Sequence, residues 1–136
     1  MEVVLKLNEE QAQLIKNALD FYGRIHMGQF EEILNLPIKH KDKPINKCLG
    51  YRGGCEDYLI RALKKELTGM DGSYWSIGCP DMPPYVKTVK DLGEVIRHAI
   101  AWHNEPEGGH TVNFDRPFHW NKQVPLAHIE IIKEKV

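Results

Sequence analysis

The chain has 136 residues, 42% of them hydrophobic and 27% charged, with a formal net charge of −1. This is the composition of a folded domain rather than a disordered segment, and a single domain over residues 1–136 is expected, long enough to bury about two thirds of its unfolded surface. A net charge near zero gives no footing for bulk binding to nucleic acid or to a membrane surface, and no apolar run approaches the roughly 20 residues that span a bilayer.

In chain order, Val3-Val4-Leu5-Lys6-Leu7 alternates with apolar positions 3, 5 and 7, the pattern of a half-buried strand. Its acidic opening, MEVVLKLNEE, is unlike a signal peptide. Asn8 reads as a helix N-cap, with Gln11 three residues on as in a capping box and Glu9 and Glu10 at the positive end of the helix dipole. Leu14, Ile15, Ala18, Leu19 and Tyr22 follow at helical spacing as one buried stripe. Gly23 and Gly28 bracket a break that carries Arg24, His26 and Gln29. A short second helix is predicted over 29–36, with Phe30, Ile33 and Leu34 inward, stopped by Pro37.

Residues 38–54 form a basic, turn-rich connection. A third helix is predicted over 56–67, half-buried through Leu59, Ala62, Leu63 and Glu66 and ended by Thr68-Gly69. The segment DGSYWSIGCPDMPPY is too apolar, through Tyr74, Trp75, Ile77 and Tyr85, to be a solvated linker, so it is expected to be an ordered loop. The fourth helix is the clearest. Thr88 and Asp91 form a T-x-x-D capping box, and Val89, Leu92, Val95, Ile96, Ala99 and Ile100 make its stripe. Strands are then expected over 110–114 and 126–132, the latter with Ala127, Ile129 and Ile131 on the core face. The resulting fold class is α+β: a small antiparallel sheet, built of the N-terminal and C-terminal strands, packed with about four helices.

The chemistry-bearing residues give no catalytic signature. Cys48, Cys55 and Cys79 form no CxxC pair and suit reduced thiols, which points to a cytoplasmic location. No cofactor or metal is called for, although a site folded from the three cysteines and a histidine is the remaining metal alternative. His98 and His103 are about 140° apart on a helix and do not share an ion easily. Cys55, behind Gly53-Gly54 at a helix start, has the placement of an activated thiol, and Gly50 to Gly54 with Arg52 has that of a phosphate-holding turn. Lys39 to Lys47 is basic, but the C-terminal half offsets it, so nucleic acid is not the expected partner. In PEGGHTVNFDRPFHW, His110, Arg116 and His119 with neighbouring aromatics make a rim suited to an anionic, aromatic ligand such as a nucleotide.

A resemblance enters at Ala18-Leu19-Asp20, Tyr22, Arg24-Ile25, Gly28-Gln29-Phe30 and Glu32, and again at Val95-Ile96-Arg97-His98, Ala101-Trp102, Pro106-Glu107-Gly108-Gly109 and Val112. Over about half its length the chain resembles small uncharacterised proteins of bacteriophages and prophages. That resemblance implies an accessory protein acting inside a bacterium by binding: blocking a host protein, such as a defence component, or sequestering a small signalling molecule.

Together these readings give a non-enzymatic binding module in the bacterial cytoplasm, with no membrane partner. Its ligand would be a small nucleotide-like anion. The expected ligand-binding residues are Tyr22, Arg24, His26, Gln29, Arg52, Trp75, Arg97 and Trp102, arginine because its planar fork meets phosphate bidentately. A homo-oligomer is expected, since a small domain readily builds a pocket across a symmetric interface. The alternatives are a protein–protein inhibitor with no ligand pocket and a small His/Arg- or Cys-based hydrolytic enzyme.

Overall fold

Helices account for nearly all regular structure in the computed structural model, which describes residues 1–36, 39–40, 43–44 and 55–133, with side chains for 1–36 and 57–133. The three α-helices are α1, Glu9–His26; α2, Cys55–Thr68; and α3, Pro84–Asn104. Short 3₁₀ turns cover Phe30–Asn35 and Val112–Phe114. The chain divides into two compact units, one of Met1–Gly23 with Pro83–Val136, the other of Arg24–Met82.

The α+β expectation is overturned. Among the described residues, strand pairing is confined to a two-residue antiparallel ladder of Lys39–His40 with Lys43–Pro44, too small to be a sheet. Residues 3–7 are irregular, with Val3, Val4 and Leu5 exposed; 112–114 wind into 3₁₀; 126–132 are irregular, with Ile129, Ile131 and Ile132 exposed. Alternation selects faces, but a strand exists only where a second backbone takes up its N–H and C=O groups, and these segments have no such partner among the described residues.

Helix starts follow side-chain chemistry. At α1 the capping box is reciprocal: Gln11 N–H donates to Asn8 Oδ1 at 2.8 Å, and Asn8 N–H donates to Gln11 Oε1 at 3.0 Å. The buried face of α1 is rotated from the one expected. Leu14, Ala18 and Tyr22 are exposed, whereas Ile15, Leu19 and Gly23 are covered. The reason is α3: Leu19 lies against Gly93 and Val89 lies against Gly23, so the small residues set the line of approach.

Helix α3 begins one turn before Thr88, with Pro84 inside its first turn, where a fixed φ and a missing N–H cost nothing. Thr88 and Asp91 are therefore not its cap. Thr88 Oγ1 bonds back to Pro84 O at 3.2 Å, and buried Asp91 accepts from the backbone N–H groups of Trp120 (2.8 Å) and Asn121 (2.9 Å). Asn121 closes the knot by donating to Thr88 Oγ1 at 2.8 Å and to Pro84 O at 3.3 Å. Around it, Val86, Val95 and Ile96 form the apolar core of this unit.

In the other unit Leu34, Ile77 and Met82 are the buried apolar residues. The covered face of α2 is Asp57, Ile60, Lys64 and Thr68; Leu59, Ala62, Leu63 and Glu66, expected to be half-buried, are exposed, as is Leu67. Lys64 is 1% exposed and reaches Glu31 Oε1 at 3.3 Å, a pairing that a buried ammonium requires. The helix ends as expected, at Thr68-Gly69, where Gly69 N–H donates to Lys65 O at 2.8 Å.

Candidate functional site

The eight sequence-derived residues divide between the units. Arg24, His26, Gln29 and Trp75 belong to the second, Tyr22, Arg97 and Trp102 to the first, and Arg52 lies outside the described residues, as do the Gly50 to Gly54 turn, the side chain of Cys55 and most of the basic strip.

Arg24 to Gln29 forms the C-terminal corner of α1. Gln29 N–H donates to Arg24 O at 2.9 Å and Gly28 N–H to Ile25 O at 3.0 Å, the paired bonds of a Schellman motif. Gly28 supplies the left-handed residue, φ +84°, and Trp75 packs on it: a Cβ there would lie 2.7 Å from Met70 Cε and 3.4 Å from the Trp75 ring. Trp75 N–H donates to Met27 O at 2.8 Å. Arg24 spans the corner, bonding Gln29 Oε1 at 3.0 Å and pairing with Glu32 at 3.5 Å. Arg24, Gln29 and Glu32 thus satisfy one another around Gly28. Their arrangement is what a sharp helix exit needs, whether or not a ligand visits it.

A groove of about 690 Å³ lies wholly within the first unit, along the C-terminal half of α3 and the 126–133 segment. Val95, Ala99, Leu126, Ile129 and Ile131 supply apolar walls, Trp102 an aromatic one, Arg116 and Lys133 two permanent cations, and His98, His103 and His128 three imidazoles. Among the described residues no carboxylate lines it. Trp102 is held rigidly: its indole N–H donates to Phe114 O at 3.1 Å, Phe114 meets it edge-on at 5.4 Å, and Gly108 lies so close that a Cβ there would sit 3.2 Å from the ring. Such an indole offers a fixed surface while still 41% exposed.

Sequence reasoning named Trp102, and placed Arg116 on an aromatic rim, but missed His98, His103, His128 and Lys133 as groove residues. No local signal marked them: the last segment lines the groove through Leu126, Ala127, His128 and Ile129 in succession and then through Ile131 and Lys133, so the expected division into a core face (Ala127, Ile129 and Ile131) and an opposite face (Leu126, His128, Glu130 and Ile132) does not separate the groove residues from the rest.

A second cavity, of about 330 Å³, is lined by polar groups, Arg97 among them, together with Ile100, Ala101 and Phe114. Elsewhere, Phe118 and Trp120 meet at a tilt of 46° with ring centres 4.3 Å apart, and His119 Nε2 lies 2.6 Å from Val124 O, so these residues of the rim hold their own loop. Among the described residues no group of three or more His, Cys, Asp or Glu side chains is placed to hold a metal ion, and no helix is long and apolar enough to cross a membrane. No family model, curated protein or solved structure matches the chain.

Proposed function

We propose that the chain is a non-enzymatic binding module whose ligand is a nucleotide-like anion held in the groove beside α3. The observation that carries this reading is the lining itself: apolar walls, one immobilised indole, two permanent cations and, among the described residues, no carboxylate. An aromatic base gains about 1–3 kcal/mol by stacking on such a ring. A phosphate gains a charge-assisted hydrogen bond to Arg116 or Lys133, worth about 1.5–3 kcal/mol. Among the described residues the lining carries no Ser, Thr, Cys, Asp or Glu side chain beside its histidines, which favours a ligand released unchanged. In this reading the protein is a phage-type accessory factor of the bacterial cytoplasm that sequesters its ligand, as a homo-oligomer.

The test is calorimetric titration with adenosine monophosphate and, separately, adenosine. The monophosphate binds and adenosine binds at least about tenfold more weakly, the loss of roughly 1.4 kcal/mol. Arg116→Gln and Lys133→Gln each weaken the monophosphate without altering adenosine. Equal affinities for the two compounds, or variants that bind as the wild type does, would sink the proposal.

A second reading has its own observation. Leu59, Leu63 and Leu67 make an exposed ridge on α2, 60%, 47% and 67% exposed, flanked by exposed Tyr58. An apolar helix face of this kind suits a protein–protein inhibitor that buries the ridge in a host protein's groove.

A further inference from the structure

The segment 126–132 has the composition of a strand and no strand to pair with. It belongs to the first unit, and among the described residues no backbone group of 125–133 is hydrogen-bonded to another backbone group. Ile129, Ile131 and Ile132 are 37%, 42% and 68% exposed, and His128 and Glu130 are exposed as well. Exposed β-branched residues on a free backbone edge are the template on which another strand pairs.

The order of the residues says which strand fits. Laid antiparallel against a second copy with Ile129 opposite Ile129, LAHIEII is self-complementary. Leu126 then faces Ile132, Ala127 faces Ile131 and His128 faces Glu130, and each pair occurs twice about a two-fold axis. A slip of two residues, the smallest that keeps each face intact, sets His128 against itself in one direction and Glu130 against itself in the other. Pro125 fixes the bonding pattern. It has no N–H, so it belongs to the non-hydrogen-bonded positions, which recur at every second residue and include Ala127, Ile129 and Ile131. Leu126, His128, Glu130 and Ile132 are then the residues that exchange backbone bonds with the partner. A two-stranded ribbon alone is marginal in water, but this segment shares its groove with Val95 and Ala99 of α3, which supply a helix for it to pack on.

We propose that residues 126–132 pair antiparallel with the same residues of a second copy, in a ribbon centred on Ile129. The pairing specifies the homo-oligomer of the reading above and rests on that reading for nothing else. Its bonds lie in the plane of the ribbon, so it does not depend on what the groove holds.

The test is amide hydrogen exchange read by NMR over a dilution series, with the mass in solution read by analytical ultracentrifugation. Expected is a dimer in which the amides of Leu126, His128, Glu130 and Ile132 exchange slowly, those of Ala127, Ile129 and Ile131 exchange freely, and dilution removes the difference. Glu130→Lys, which sets a like charge against His128, raises the dimer dissociation constant roughly tenfold. Adding His128→Glu to it restores association, because opposite charges then face each other again. A monomeric wild type, a dimer whose 126–132 amides all exchange freely, or a Glu130→Lys defect that His128→Glu does not repair overturns the pairing. A monomer in which these amides are protected assigns their partner to the chain itself and overturns it too. The nucleotide titration fails or succeeds separately. A monomer that binds adenosine monophosphate sinks the pairing and leaves the groove as the ligand site, whereas a dimer with alternating protection that binds no nucleotide does the reverse.

Discussion

At the scale of single residues, the corner after α1 shows how a recognisable motif can be explained by backbone geometry. Gly28 is required twice, by its φ of +84° and by the Met70 and Trp75 side chains that close over it. Gly28→Ala is expected to destabilise the protein by about 1–2 kcal/mol, the cost of a left-handed conformation with a Cβ, read as a lowered midpoint in chemical denaturation. The glycine bracket and the polar groups were both legible in the sequence. That Arg24 would be taken up by Gln29 and Glu32 was not, because a contact between side chains five and eight positions apart depends on how the chain turns between them.

Elements were legible where their signals are local and misread where a distant segment intervenes. The Asn8–Gln11 box and the Thr68-Gly69 stop involve only neighbouring residues, and both formed. The T-x-x-D pattern at Thr88 and Asp91 is chemically identical to a cap, yet Pro84 had already started the helix, and the two side chains anchor residues 120–121 instead. Asp91→Ala leaves two backbone N–H groups without their acceptor, one of them buried, so a loss of about 3 kcal/mol is expected, seen as a lower thermal midpoint and faster amide exchange at Trp120 and Asn121. The same lesson applies to α2. Its leucines carry the strongest apolar period, yet the covered position is Lys64, because Glu31 stands where it can pair with the ammonium.

For the whole molecule, the fold class was the largest error and the groove the most informative correction. Val3 to Leu7 and Leu126 to Ile132 have the composition of strands, but composition cannot supply the second backbone that makes a sheet. The last segment instead presents to the groove a face that mixes both expected sets, Leu126 and His128 with Ala127, Ile129 and Ile131. The groove draws Arg116 and Trp102 together with that face, although they are far apart in sequence, so no local motif announced it. Because its cations are solvent-accessible, the affinity for a nucleotide monophosphate should fall as ionic strength rises past about 0.1 M, where screening shortens to about 10 Å. Calorimetry over a salt series reads this directly, and a salt-independent affinity would argue against phosphate recognition.

The most direct test of the groove as the ligand site is an amide and indole NMR map of the protein titrated with adenosine monophosphate. The account predicts saturable shifts at the Trp102 indole N–H, at His98 and along residues 126–133, with Arg24 to Gln29 unmoved. Shifts centred on the Arg24 to Gln29 corner, or no saturable shift anywhere, would contradict it.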